Sequence, residues 1–253
     1  MRTRLVLGDI HGHHETFVDI YNKVKPDEVI LLGDYCDSYS KSTADIILAF
    51  QVLLEYRQKH IEQYGECSFK MLLGNHDFHY IDYHEEYSGY KASTWTGIHQ
   101  TLVDCLNDGT IQIAYIDEIN KTIYSHAGIS KTWLEKVCKG SDLFYINKFN
   151  LDWLRFNYLG GFDRYGNTKT SSCIWIRPMA LLGDMVEGYT QIVGHTHTHE
   201  PLFLSNDTID FKSDIDNAQL IIIDTLPKGY ILETLDDNNK IIKREYAEHE
   251  VQD

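Results

Sequence analysis

The sequence predicts an α/β protein built of stacked layers, and three observations carry that prediction. The first third of the chain alternates short apolar, β-rich runs with amphipathic stretches. Five apolar runs end in turns bearing His, Asp or Asn. The C-terminal fifth is mostly β in character. One compact domain over residues 1–253, with two sheets and outer helices, fits these signals best.

Taken in order, "RLVLGD" (4–9) reads as a strand and 13–24 as an amphipathic helix. "EVILLGD" (28–34) is followed by a helical stretch over 42–60, and "SFKMLLGNHD" (68–77) by another near 92–107. "IQIAYI" (111–116) and "KTIYSHAG" (121–128) flank Asp117–Asn120 and predict a hairpin. Residues 131–138 and 150–158 have helical spacing. Strands return as "TQIVGH" (190–195), "TIDFK" (208–212), "QLIIIDT" (219–225), "GYILETL" (229–235) and "KIIKREY" (240–246). Asp237-Asn238-Asn239 forms the turn between the last two. The closing "REYAEHEVQD" reads as a charged tail or the end of a helix.

Composition narrows the class. The chain is 43% hydrophobic and 24% charged, ordinary for a globular protein. It has no apolar run approaching the ~20 residues of a membrane helix. Its N-terminal apolar stretch meets Gly8-Asp9 too early for a signal peptide. A formal charge of −15 argues against general nucleic-acid binding but leaves room for a small phosphorylated substrate. Five scattered cysteines without CxxC spacing predict a reducing, cytoplasmic setting and no thiolate zinc site.

The five run-and-turn segments are "LVLGDIHG" (Asp9, His11), "ILLGDYCD" (Asp34, Asp37), "MLLGNHD" (Asn75, His76), "IYSHAG" (His126) and "IVGHTH" (His195, His197). Polar residues just past buried strands lie at the carboxyl edge of a sheet, where α/β folds gather ligands. Alternate side chains in Asp9-x-His11 and His195-x-His197 point the same way, so each pair can grip an ion. Imidazole with carboxylate suits Mn, Fe or Zn better than Ca or Mg. Asp34, with two oxygens, can bridge two such ions. A pair ~3.5–4 Å apart would lower the pKa of a shared water and clamp an in-line displacement at phosphorus. Each segment alone has an ordinary alternative: a turn for Asp9 or Asn75-His76-Asp77, a helix cap for Asp34, a core or rim histidine for His126. Five in this order make a metal site the better reading.

The series "GDIHG…GDYCD…GNHD…SHAG…GHTH", running from residue 8 to residue 197, resembles the calcineurin-like metallophosphoesterases. Within them it is most similar to the phosphoprotein phosphatase branch, which includes bacterial protein phosphatases and symmetrical diadenosine tetraphosphate hydrolases. The resemblance implies a β-sandwich of two mixed sheets flanked by helices, with a dinuclear site at the sheet edge. It assigns Asp9, His11, Asp34 and His197 to one metal and Asp34, Asn75, His126 and His195 to the other. His76 would be the general acid, oriented by Asp37, and metal-bound hydroxide the nucleophile. The implied cofactors are two divalent or trivalent ions, Mn and/or Fe, with Zn as an alternative. The implied reaction is hydrolysis of a phosphomonoester, with a phosphoprotein as first substrate. A dinucleoside polyphosphate or other nucleotide is the second enzyme reading, and a scaffold with a retained metal site the non-enzyme one.

The departures concern the phosphate. Ser38 stands where the branch usually has an arginine after GDxxD, and His79 where it often has another. "CIWIRP" (173–178) resembles a bacterial segment that brings an arginine to the phosphate, which makes Arg177 the candidate contact, with a surface salt bridge as its alternative. Arg155 and Arg164 are weaker candidates. "HYIDYHEEYSGY" (79–90) reads as a solvated insertion or a lid, and 151–167 as cap packing. Cys36 reads as a buried thiol, with a redox role as the alternative.

Overall fold

The computed structural model describes residues 1–82, 89–156, 158–159, 165–205, 214–225 and 228–249. Strand β1 (Arg2–Leu7) leads to helix α1 (His14–Val24), then β2 (Glu28–Leu31), α2 (Thr43–Tyr64) and β3 (Phe69–Leu72). These strands lie side by side in parallel. Alternation along β1 explains why it is apolar throughout. Val6 faces the second sheet, whereas Leu5 and Leu7 pack against the helices with Phe17, Ile20 and Phe50. Helix α2 starts at a reciprocal cap: Asp45 N–H donates to Ser42 Oγ at 3.2 Å, and Ser42 N–H to Asp45 Oδ2 at 3.1 Å.

The "GNHD" segment is a helix start rather than a loose turn. Helix α3 (Asn75–Ile81) begins directly after β3, with Asp77 in its first turn accepting from Gly74 N–H at 3.0 Å. Helix α4 (Ala92–Asn107) follows and packs on α2 and α3. The run 111–116, expected as one strand, is two: β4 (Ile111–Gln112) pairs with β3, and β5 (Ala114–Asp117) pairs with β6 (Thr122–Ser125) in the other sheet. At the crossing, Asn147 Oδ1 accepts from Ile113 and Ala114 N–H (2.8 and 3.1 Å), so the switch leaves those donors satisfied. The hairpin around Asp117–Asn120 is present. The stretch at 131–138 is helical over 131–137, its Trp133–Val137 part wound as a π-helix, whereas 150–158 yields only a single 3₁₀ turn, Leu151–Leu154. A five-residue helix α5 (Pro178–Leu182) comes next.

Strands β7 (Thr190–Val193), β8 (Leu202–Leu204) and β9 (Leu220–Ile222) belong to the second sheet. Strand β8 was not expected, and 208–212 lies outside the described residues. Strands β10 (Gly229–Leu235) and β11 (Ile241–Glu248) return antiparallel to the first sheet. The closing segment is therefore strand through Glu248 rather than a helix end. The sheets run β11-β10-β1-β2-β3-β4 and β5-β6-β7-β9-β8, both mixed. Val6, Ile30 and Leu72 meet Tyr124, Ile192 and Ile221 between them, and helices cover the outer faces. Among the described residues no helix is long and apolar enough to cross a membrane.

Two parallel trios result, β1-β2-β3 and β6-β7-β9. Their carboxyl ends deliver the loops that carry the site. At the other end of β1, buried Arg4 joins the sheets: its guanidinium meets Glu28, Asp117 and Glu233 at 2.8, 2.9 and 3.1 Å.

Candidate metal centre

Each strand of the two trios ends in a residue of the site, and backbone hydrogen bonds stitch the loops together. His11 N–H donates to Asp34 O at 2.7 Å, and Gly194 N–H to His126 O at 2.8 Å. His11, Asp34, Asp37 and His195 all have left-handed backbones, with φ of 45°, 51°, 66° and 63°. Non-glycine residues adopt this conformation at a cost, and four at one sheet edge mark a place where side-chain direction is fixed by the fold. Two glycines allow the close approaches. A Cβ on Gly74 would stand 2.1 Å from Asp34 Oδ1, and one on Gly194 2.1 Å from Asp9 Oδ1.

Asp77, read from sequence as one polar residue of a turn, organises the GDYCD loop. Fully buried, it accepts from Tyr35 and Cys36 N–H at 2.9 and 3.0 Å with one oxygen and from Gly74 with the other. Cys36 beside it is buried, and burial followed by the charge of Asp77 pushes its thiol far up, which suits packing rather than redox chemistry.

Ligand atoms of Asp9, Asp34 and His126 lie within 4.8 Å of one another. His11 Nε2 stands 3.8 Å from Asp9 Oδ2 and 3.7 Å from Asp34 Oδ2. Asn75 Oδ1 is 2.8 Å from both His126 Nε2 and His195 Nδ1. The protons explain this crowding. Burial first, then cationic or polar neighbours, lowers the pKa of His11 to about 4 and of His126 to about 3, and drives His195 well below its ordinary value. These rings are neutral, each with one N–H. His126 Nδ1–H donates to Leu32 O (2.9 Å), His195 Nε2–H to Trp175 O (3.1 Å) and His11 Nδ1–H to Asp37 O (3.1 Å). Each ring therefore turns its lone pair inward, toward other lone pairs on Asn75, Asp34 or Asp9. Such a convergence is offset by cations, and a ligand imidazole anchored through its other nitrogen is the usual arrangement. Asp9 and Asp34 agree: burial first raises both, Asp34 to about 8 and Asp9 well above the ordinary carboxylate value, which a metal ion would reverse. The residues present fit a pair of ions.

His197 stands apart from that cluster. Its side chain is 66% exposed, and its Nδ1 is 3.9 Å from Asp224 Oδ1. Both line a cleft of about 470 Å³ together with Asp9, His11, Asp37 and His76. Asp224 is the residue sequence reasoning missed. It is 6% exposed, follows β9, and its charge acts on Asp9 across the cleft wall. Its signal was available in "LIIIDT", an apolar strand running into Asp like the two that precede Asp9 and Asp34.

His76 is oriented differently from the other rings. Its Nδ1–H donates to Asp37 Oδ2 at 2.9 Å, while its ring lies 5.1 Å from that of His11. Burial alone would lower its pKa, but the charge of Asp34 and the Asp37 hydrogen bond overcome this and raise it to about 9. Burial likewise opposes ionisation of Asp37, and the hydrogen bond from His76 and the close approach of His79 win, holding it below the usual carboxylate range. Ser38 and Tyr39 line the rim of the cleft. Arg177 makes no ion pair among the described residues. Its Nη1 donates to His195 O and Thr196 Oγ1 at 3.0 and 3.1 Å, and its Nε to Tyr165 O, so it braces the β7 loop. Arg155 pairs with Asp82, and Arg164 lies outside the described residues.

Comparison with known proteins agrees with this geometry. The family profile described as calcineurin-like phosphoesterase matches residues 3–201. A search of curated proteins finds no match. A Saccharomyces cerevisiae protein serine/threonine phosphatase with similarity to human phosphatase PP5 superposes with a TM-score of 0.55 at 12% identity, covering 100% of this chain and 81% of that one. A putative diadenosine tetraphosphatase gives 0.54 at 13% identity, covering 98% and 93%. A metallophosphoesterase from Sphaerobacter thermophilus gives 0.51 at 13%, covering 98% and 88%. At these identities the structures show a shared fold, and the profile match across most of the chain shows the family. The chain belongs to the calcineurin-like phosphoesterase family and is a metal-dependent phosphoesterase.

Proposed function

We propose that this chain, as a single domain over residues 1–253, hydrolyses a phosphate ester over two metal ions, with His76 as general acid. The observation that carries this is the opposed use of ring nitrogens around one cleft. His11, His126 and His195 spend their N–H on backbone carbonyls and turn lone pairs inward. His76 gives its Nδ1–H to a carboxylate and keeps Nε2 for the cleft. The first pattern is ligand chemistry and the second is acid chemistry.

In this reading Asp9, His11, Asp34 and His197 hold one ion, joined by Asp224. Asp34, Asn75, His126 and His195 hold the other. When bound, the ions supply a Lewis-acid clamp on the phosphoryl oxygens and a water of lowered pKa. The donor set suits Mn and/or Fe, with Zn as an alternative. His76 delivers its Nε2 proton to the leaving oxygen as the P–O bond breaks, and Asp37 stays ionised beside it. Arg177 braces His195 and leaves Nη2, without a partner among the described residues, for a phosphate oxygen.

The substrate proposed first is a phosphomonoester on a protein, of serine/threonine phosphatase type. A dinucleoside polyphosphate is the second reading, favoured by the Tyr39 ring on the rim, which suits stacking on a base. A reducing, cytoplasmic compartment suits the free thiols. The test is Mn-loaded protein against p-nitrophenyl phosphate, its bis ester, a phosphopeptide and diadenosine tetraphosphate. Hydrolysis of none would sink the proposal. His76→Asn should lower turnover roughly 10²- to 10⁴-fold with metal content intact. Unchanged turnover would remove His76 from the reaction.

A further inference from the structure

Asp37 has more partners than a carboxylate needs to orient one histidine. His76 Nδ1 lies 2.9 Å and His79 Nε2 2.7 Å from the same oxygen, Oδ2. The other oxygen, Oδ1, accepts from the Tyr80 hydroxyl. All three groups come from α3, at positions i, i+3 and i+4, one face of a helix, with His76 and Tyr80 hydrogen-bonded to Asp37 and His79 in close contact with it. His79 is 1% exposed and Tyr80 fully buried, so neither can touch a substrate in the cleft.

The surroundings hold these groups in place. Tyr80 Oη accepts from Lys91 N–H at 3.1 Å, and the Tyr80 ring stacks on Tyr90 at 5.2 Å. His99 Nδ1–H donates to Tyr80 O at 2.6 Å. His79 packs edge-on against Tyr80 and Tyr90. Neither ring nitrogen of His79 makes a hydrogen bond of ordinary geometry among the described residues, and Nε2, 2.7 Å from Asp37 Oδ2, places that carboxylate as the polar group beside the ring. A carboxylate with one donor can rotate about its Cβ–Cγ bond. With donors on both oxygens, His76 on Oδ2 and Tyr80 on Oδ1, it cannot, and the His76 ring that shares it is fixed in direction.

We propose that His79 and Tyr80 are positioning residues that act on the reaction only through Asp37, by fixing the aim of the general acid His76. This rests on the function proposed above. The proton transferred is still that of His76 Nε2, moving to the leaving oxygen as the P–O bond breaks, and no proton passes through His79 or Tyr80.

The leaving group supplies the test. A p-nitrophenolate departs with little need of a proton, whereas an alkoxide departs poorly without one. Tyr80→Phe, which keeps the ring packing, and His79→Gln are compared with wild type on p-nitrophenyl phosphate and on an alkyl phosphate. Loaded metal is measured on the same samples. The expected result is a fall in alkyl phosphate turnover at least about 10-fold larger than the fall on the aryl ester, in the direction of His76→Asn. The two ions should remain bound. Equal falls on both esters would mean a structural role and overturn the proposal. So would a third ion in wild type that is lost in His79→Gln, because Asp37, His76 and His79 would then be a metal site. If wild type cleaves neither ester, the function proposed above fails by itself. The positioning claim is then decided by ¹⁵N NMR of the His76 ring. A single His76 Nδ1–H resonance, hydrogen-bonded and protected from exchange in wild type, that broadens or loses protection in both variants supports it, and an unchanged resonance overturns it.

Discussion

The backbone N–H of His195 donates to both carboxylate oxygens of Asp9, at 3.0 and 3.1 Å, and so ties the loop after β7 in one sheet to the loop after β1 in the other. The contact exists because Gly194 lets the backbone close on Asp9: a Cβ there would stand 2.1 Å from Asp9 Oδ1. Gly194→Ala should therefore push the two loops apart and weaken the ion that Asp9 helps to hold. The expected outcome is a loss of about one metal equivalent, read by elemental analysis, with the circular dichroism of the fold preserved. Two ions bound as tightly as in wild type would mean that Asp9 and His195 tolerate separation.

Asp224 makes a second case. It shares the cleft wall with His197 and Asp9, and its carbonyl accepts from Thr198 N–H at 3.0 Å, next to His197. Asp224→Asn keeps the shape and removes the charge. Metal affinity should fall about 10- to 100-fold, as for groups that support ligands. Titration of metal-free protein with Mn, followed by equilibrium dialysis, measures this without turnover. An unchanged affinity would leave Asp224 as a backbone support for the His197 loop.

The contrast between Asp224 and the other five loops shows what could be read from sequence. Asp9, Asp34, Asn75, His126 and His195 announced themselves through a glycine or histidine beside an apolar run. Asp224 has no such neighbour, and only the parallel pairing of β7 with β9 shows that its strand ends at the same edge. Asp77 was hidden for a different reason: its role is to collect three backbone N–H groups, and no local pattern reveals acceptance from a loop 40 residues away. The split at Ile113 was illegible because the deciding group, Asn147, is remote in sequence. Helical spacing at 131–138 is realised over 131–137, whereas at 150–158 it yields one short turn, because spacing alone cannot sustain a helix once packing directs the chain elsewhere.

The stability of the metal-free protein should depend on pH in a specific way. Burial and neighbouring charges raise Asp34 from 3.8 to about 8, so the fold retains a proton that the unfolded chain releases. That contribution is complete below the unfolded value and is lost as pH rises through about 8. His76, raised from 6.5 to about 9 by Asp34 and Asp37 against its burial, acts in the same sense. His11 and His126, lowered to about 4 and about 3 chiefly by burial, act oppositely: their contribution is present above 6.5 and lost as pH falls. The melting temperature in chelator should therefore rise from pH 9 down to roughly 6.5 and fall again below it. Saturating Mn should flatten the alkaline side, because the ions then hold the carboxylates ionised. Thermal shift from pH 5 to 9, with and without Mn, checks both arms. A metal-free melting temperature that climbs between pH 7 and 9 would contradict the assigned shifts.

At the opposite end of the sandwich, Arg4 is 2% exposed and surrounded by acids from both sheets. Its Nε meets Glu28, and its Nη1 meets Asp117, Glu233 and the Tyr124 hydroxyl at 3.0 Å. Glu233 is shared with Arg244 at 2.8 Å, so two arginines balance three buried or half-buried carboxylates. Removing Arg4 strands those charges, whereas replacing the whole network with apolar groups would not. Breaking one partner of such a network costs about 3–5 kcal/mol. Arg4→Met should therefore lower unfolding stability by about that amount in urea, with metal content and the cleft intact in the folded fraction. Adding Glu233→Gln in the same chain should recover part of the loss, since one of the stranded charges is gone. A double variant whose loss equals the sum of the two single losses would show that Arg4 and Glu233 act independently, and that the sheets are held at that edge by packing instead.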